Sequence, residues 1–410
     1  MPDPLAAAAF RRFGRRPWVL TDSKCHIGDR DNVTTARGIT SQRCDIKVTF
    51  ELADPPEVSR CFVHCPGLAE GRYGGDPMVV GSADAFVLLV VPFNDGSGCR
   101  GCNDFFVYRA GPEAPSLHLL RRPCRYPDYI TLAGIVPCAD LNDKDYAVCN
   151  DSTSKRYDFH VYRSDISKWP WRTEVASIAM IDTKYSTHEV IMQHEGTRVI
   201  FAGRETLGWV NHWHGIILCN VLDPNRVMRL IPWPVLIPCN IVSRFGMGVD
   251  NIYARPFCDV AISNGVIRFV ELKPCQRSDT CNDKGVIGQG WTITTWNRGI
   301  RSNKWDKRFT VKVDNVPNTG LSYPKVSGGK RLSWDKVVHG GPTLSLCDDD
   351  VVYIMSRLDI RPAIVWMLAI NIREGTLEAV KQCSAENMLG LEPTYVQCAL
   401  SNYLKQWRRS

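Results

Sequence analysis

The stretch GWVNHWHGIILCNVLD, residues 208–223, carries the densest set of groups in the chain that could hold a metal. His212 and His214 stand two positions apart, so an extended backbone would place both imidazoles on one face. Two imidazoles can share a zinc ion, but a site needs a third and usually a fourth ligand. Cys219, further along, would point to the opposite face of a continuing strand. The pattern therefore reads as exposed strand or loop histidines, with no metal and no cofactor expected.

Three other constellations invite chemistry and are met by simpler readings. Cys99 and Cys102 form a CxxC in a glycine-rich loop, but a zinc ribbon needs a second pair at suitable spacing. Cys275 and Cys281 sit in another inserted loop. Asp348, Asp349 and Asp350 could be catalytic carboxylates or a calcium loop. A glycosidase needs two carboxyls held across a sugar-sized gap, and an EF-hand needs its own ligand pattern. The run instead occupies a hairpin turn, where aspartate is favoured for its backbone geometry. GVIGQG (285–290) and SGGK (327–330) are neither a Walker loop nor a dinucleotide fingerprint. No catalytic residue is assigned.

The elements that must carry these residues are almost all strands. Short apolar segments bounded by Gly, Asn, Asp, Pro or Ser recur, and helical periodicity is nearly absent. One recurring unit is a strand, a polar turn and a strongly apolar strand: 79–91, 135–149, 190–202, 260–270 and 343–355. After each comes a strand carrying aromatic residues, a turn and a more mixed strand: 105–122, 157–177, 215–234, 291–313 and 365–382. A sixth copy of this second unit stands at 46–64, without an inner pair of its own. PTYVQCAL (393–400) and WVLTDSKCHI (18–27) could supply that pair. Such closure removes the open sheet edges that a repeat array otherwise leaves. The reading is all-β: a single β-propeller over 17–404, most simply of six four-stranded blades closed by the N- and C-terminal strands. Basic tails, 1–16 and 405–410, flank it, and loop insertions fall around 272–290 and 314–340.

Composition is that of an ordinary globular protein, 44% hydrophobic and 23% charged. No apolar run reaches the length of a membrane helix. The net charge of +7 lies partly in the two basic ends, which read as solvated tails, so nucleic acid is not expected as a partner. The 17 cysteines follow no repeating frame, and no signal-peptide pattern opens the chain. Free, mostly buried thiols in the cytoplasm or nucleus are expected, with organelle import a lesser alternative.

PWVLTD and DRDNVTTA (17–36), with IKVTFELADPPEVSRCFVHCPG (46–67), resemble the opening of the domain of unknown function 1618 family, a plant family expanded in grasses. LGWVNHWHGIILCNVL (207–222) is similar to that family's central block, and PTYVQCALSNYL (393–404) to its C-terminal signature. The resemblance implies an arrangement like the propeller domains that accompany F-box substrate receptors. The stretch ahead of Trp18 is too short for an F-box itself. Family members tend to carry an acidic residue and an arginine near Asn211 and His214, so the histidines depart from the family pattern and argue against an inherited metal site.

Two function classes follow. The first is a non-catalytic, monomeric scaffold that binds another macromolecule, foremost a protein, through a loop-rich face. Its candidate anchors are Trp169, Trp171 and Trp233, aromatic residues near loops of the kind that dominate interface hot spots. The alternative is a hydrolase-like enzyme working in the central channel, which requires carboxylates or histidines converging at a channel mouth.

Overall fold

A computed structural model gives the fold, described for residues 17–68, 72–94, 103–111, 114–120, 132–138, 145–151, 158–166, 170–178, 196–235, 257–274, 291–312, 316, 338–357, 365–383 and 394–404. Twenty-seven strands and one short 3-10 turn, Leu400–Asn402, make up the regular structure among these residues. No helix among them is long and apolar enough to cross a membrane. The strands form six sheets, one per sequence repeat, and the fold class is the six-bladed β-propeller.

Four sheets are plain antiparallel meanders. Blade two is β6 (Met78–Ala83), β7 (Phe86–Pro92), β8 (Asn103–Arg109) and β9 (Ser116–Leu120). Blade three is β10 (Ala133–Pro137), β11 (Tyr146–Asp151), β12 (Asp158–Arg163) and β13 (Trp171–Val175). Blade five is β19 (Cys258–Ser263), β20 (Val266–Pro274), β21 (Trp291–Gly299) and β22 (Asp306–Lys312). Blade six is β23 (Val338–Leu344), β24 (Val351–Arg357), β25 (Val365–Asn371) and β26 (Thr376–Cys383). In each, the second strand is the apolar one the sequence singles out: Phe86–Leu89 and Val351–Met355 are buried on both faces. A strand sandwiched between layers has no polar face to alternate with.

Blade one is completed by both ends of the chain, as the sequence predicts. It comprises β1 (Val19–Asp22), β2 (His26–Ile27), β3 (Ala36–Ile39), β4 (Asp45–Glu51), β5 (Val58–His64) and β27 (Tyr395–Cys398). β27 runs antiparallel to β1, with Val19 opposite Cys398, and the Ser82 hydroxyl donates to the Gln397 carbonyl at 2.9 Å. The order within the blade differs from expectation. β1 pairs in parallel with β5, so 58–64 lies inside 45–51 and β3 forms the outer edge. The chain runs from β1 out to the rim and returns through the β4–β5 hairpin, which reverses the expected order.

Blade four is β15 (Arg198–Phe201), β16 (Thr206–Asn211), β17 (Gly215–Asn220) and β18 (Val227–Pro232). A fifth piece, β14 (Ser177–Ile178), lies parallel to β18. The hairpin expected over 190–202 is displaced: 198–201 is the innermost strand and its partner is 206–211. The turn between them uses positive φ at Gly203 (87°) and Arg204 (43°), which brings the strands back on themselves. The insertions are also trimmed, because β20 extends to Pro274 and β23 starts at Val338.

The chain divides into two compact units, one holding blades one to three and most of blade four, the other holding blades five and six. In the first unit, the interface of blades three and four is an apolar seam that includes Phe159, Val161, Leu207, Trp209 and Cys219. Gly134 on β10 lets these blades approach: a Cβ there would lie 2.6 Å from Val199 Cγ1 and 2.7 Å from Leu207 Cδ1. The second unit is packed around Trp291, Val352, Trp366 and Leu368. All eleven described cysteines are free thiols and eight are buried.

Candidate functional site: an arginine-lined cleft between two blades

The apolar seam between blades three and four opens at the outer strands into a cleft of about 300 Å³. Its walls follow from strand alternation. Val161 and Arg163 are two apart on β12, and Arg172 and Glu174 two apart on β13, so each pair shares a face. These four side chains line one wall. The other comes from the β17–β18 turn, where Leu222 and Arg226 project. That turn is built by Asn220, whose side-chain oxygen accepts the Leu222 and Asp223 N–H groups at 3.0 and 3.1 Å.

Two of the three guanidiniums are fixed by partners. Arg163 makes a forked pair with Asp165, Nε to Oδ1 at 2.9 Å and Nη2 to Oδ2 at 2.8 Å. Those hydrogen bonds hold the Asp165 carboxyl below its ordinary value and keep Arg163 cationic. The Arg226 side chain is only 9% exposed; its Nε donates to the Val221 carbonyl at 2.8 Å and its Nη1 to Glu174 at 3.2 Å. The bridge ties blade four to blade three. The Arg226 carbonyl adds to the tie by accepting both the backbone N–H and the hydroxyl of Ser177, at 2.9 and 3.0 Å. Arg172 is exposed and carries no hydrogen bond to the described residues. Beneath the cleft, burial pushes the Cys138 and Cys219 thiols up to about 12, so both stay protonated and serve as apolar packing.

The sequence-predicted anchors fall in three different places. Trp169 lies outside the described residues. Its neighbour Pro170 lines the cleft, and the Pro170 carbonyl accepts the Arg163 N–H at 2.9 Å. Trp171 alternates to the other face of β13, where it meets Tyr162 edge-on at 5.3 Å and packs towards the core of blades two and three. Trp233 is 8% exposed, stacked on Phe269 at 4.8 Å and set edge-on to Trp305 at 6.4 Å within the second unit. Little beyond its rim remains for a partner.

The histidine pair is separated by the backbone. β16 ends at Asn211, and residues 212–214 form the hairpin turn, so strand alternation stops where the expectation of one shared face needs it. His212 is 2% exposed, its carbonyl accepting the Cys258 thiol at 3.4 Å, while His214 is exposed. Among the described residues, no three of His, Cys, Asp and Glu are grouped to hold a metal. The aspartate run lies in the β23–β24 turn: Asp348 accepts the Asp350 N–H at 3.2 Å, Asp349 meets Arg268 at 2.8 Å, and Asp350 takes a forked pair from Arg373. Cys99, Cys102, Cys275, Cys281, the two glycine-rich segments and both basic tails lie outside the described residues.

Sequence reasoning missed Arg163, Arg172, Glu174 and Arg226. The available signals were an Arg-x-Asp at the end of an aromatic strand and an arginine closing the equivalent turn one copy later.

Comparison with known proteins bears on the family and on little else. The protein-family model described as "Protein of unknown function (DUF1618)" matches residues 209–353, and over that segment the chain is similar to this family. No curated protein matches. Among solved structures, the WD40 domain of SCAP from fission yeast is similar over 87% of this chain and 75% of that one, at 11% identity and a TM-score of 0.32. MPT-1, a GDP-Man-dependent mannosyltransferase from Leishmania mexicana, covers 86% of this chain and 90% of its own, at 12% identity and a TM-score of 0.25. At those scores neither likeness carries an argument.

Proposed function

We propose that the chain is a non-catalytic propeller scaffold that docks another macromolecule, foremost a protein, on a loop-rich face. One observation carries this reading: the cleft between blades three and four combines three guanidiniums with an apolar floor of Val161 and Leu222. Arginine set around an apolar floor is a composition met at protein-docking sites. The outer strands β13 and β18 supply a rigid base for it, so a partner would meet preset side chains and lose less entropy on binding.

The test is co-purification from plant tissue with the intact chain beside a version lacking 275–290 and 317–337. Recovery of the same protein partner in repeated preparations, lost or weakened without those segments, supports the scaffold. Repeated recovery of no protein partner overturns it.

A further inference from the structure

We infer that the cleft between blades three and four is a receptor for a phosphorylated side chain on a protein partner. This rests on the docking function proposed above and names the chemistry one site would recognise. A cavity of about 300 Å³ is at the small end for ligand sites and suits one side chain with its headgroup.

The donors left over after internal bonding determine what fits. Arg163 spends Nε and Nη2 on Asp165, leaving Nη1; Arg226 spends Nε and Nη1, leaving Nη2. Toward the described residues, Arg172 keeps its whole fork. Among the described residues, donors from three separate arginines therefore remain around one space. A carboxylate offers two oxygens, which a single arginine fork can satisfy. A phosphomonoester offers three oxygens and a charge near −2, and so can use all three arginines.

Two of the arginines are already locked in place, Arg163 by its forked pair and Arg226 by burial, so little rotamer freedom is lost on binding. The apolar floor of Val161 and Leu222 would take the aliphatic stem of the incoming residue. Glu174 is the opposing element: it neutralises Arg226 in the empty cleft and repels the incoming anion.

The experiment measures binding of the full chain to degenerate peptide pools by fluorescence anisotropy. The pools are centred on phosphoserine, serine or glutamate, with inorganic phosphate as competitor. The expected result is selective binding of the phosphoserine pool, weakened about tenfold or more by Arg172→Ala, the loss of one charge-assisted contact. Glu174→Gln, which keeps a hydrogen-bond acceptor for Arg226 while removing the repulsion, is expected to tighten binding about threefold. Equal binding of all three pools, or an Arg172→Ala affinity equal to the parent's, overturns the assignment. So does inorganic phosphate binding as tightly as the phosphoserine pool, which would make the cleft a small-anion site only. Partner recovery from tissue that persists unchanged in Arg172→Ala retains the scaffold and removes this site from it. Recovery of no partner by the intact chain removes the scaffold itself.

Discussion

Arg226 in blade four and Arg268 in blade five do the same mechanical job in different electrostatic company. Each is a nearly buried arginine reaching from its own blade to a carboxylate on a neighbouring one. Arg226 reaches Glu174 on β13 at 3.2 Å, and Arg268 reaches Asp349 in the β23–β24 turn at 2.8 Å while also donating to the Ser345 carbonyl at 2.5 Å. Burial pulls the Arg268 guanidinium below its ordinary value. The neighbours that oppose that pull, Asp349, Cys347, Asp259 and Asp348, are all groups that carry negative charge when ionised. Arg268 is thus a neutralised strut. Around Arg226 the cleft lining adds two more guanidiniums, Arg163 and Arg172, against one lining carboxylate, Glu174. A buried arginine becomes a structural brace or part of an anion receptor according to the sign of its neighbours.

The largest test of this contrast is Arg268→Ala. Removing the cation leaves a cavity and the Ser345 carbonyl without its donor, while the exposed Asp349 is rehydrated, and should cost about 2–3 kcal/mol in urea unfolding. Arg268→Met should recover most of that loss if the stem's packing matters more than the charge. Full loss in the Met variant would show that the charge itself is needed. Arg226→Ala should cost less, about 1–2 kcal/mol, because the Arg226 side chain lies nearer solvent than that of Arg268, 9% against 3% exposed.

A pH series on Asp165→Asn gives a smaller effect with a defined sign. The Asp165 carboxyl is held below 3.8 in the folded chain, so its contribution is present above that value and is lost as pH falls through the lowered one. The variant should be less stable than the parent at neutral pH, and the difference should close only in strong acid. A difference that widens on acidification would contradict the Arg163 pairing. Smallest of all, Arg172→Ala should leave stability within about 0.5 kcal/mol while weakening phosphopeptide binding. A variant that unfolds more easily would make Arg172 a brace after all.

What could be read from the residues alone was whatever depended on neighbours in sequence. Hairpins such as Ala83–Phe86 and Ser263–Val266 announce themselves through Asp-Ala and Asn-Gly turns. Asp84 and Asn264 indeed take positive φ there. The missed hairpin in blade four had two candidate turns, His-Glu-Gly and Gly-Arg-Glu, of similar composition, and local chemistry could not choose between them. Parallel pairing of β1 with β5 is a non-local choice and left no local mark. The tryptophans were weighed as surface anchors by residue type, yet strand alternation turns Trp171 towards Tyr162, and packing on Phe269 buries Trp233. The cleft needed an encounter between positions 52 residues apart, Glu174 and Arg226. Strand period two could place Arg172 beside Glu174, but not Arg226 opposite them.

The pairing of β1 with β27 has a consequence for how the chain is made. Val19 and Cys398, paired in the finished structure, stand near opposite ends of the sequence. A ribosome therefore releases the early strands long before their partner exists. During that interval β1 presents an open edge, and such edges recruit foreign strands. Contacts of such long sequence separation also form slowly, because loop closure must precede them. The arrival of β27, made long after β1, thus ends that strand's exposure to aggregation.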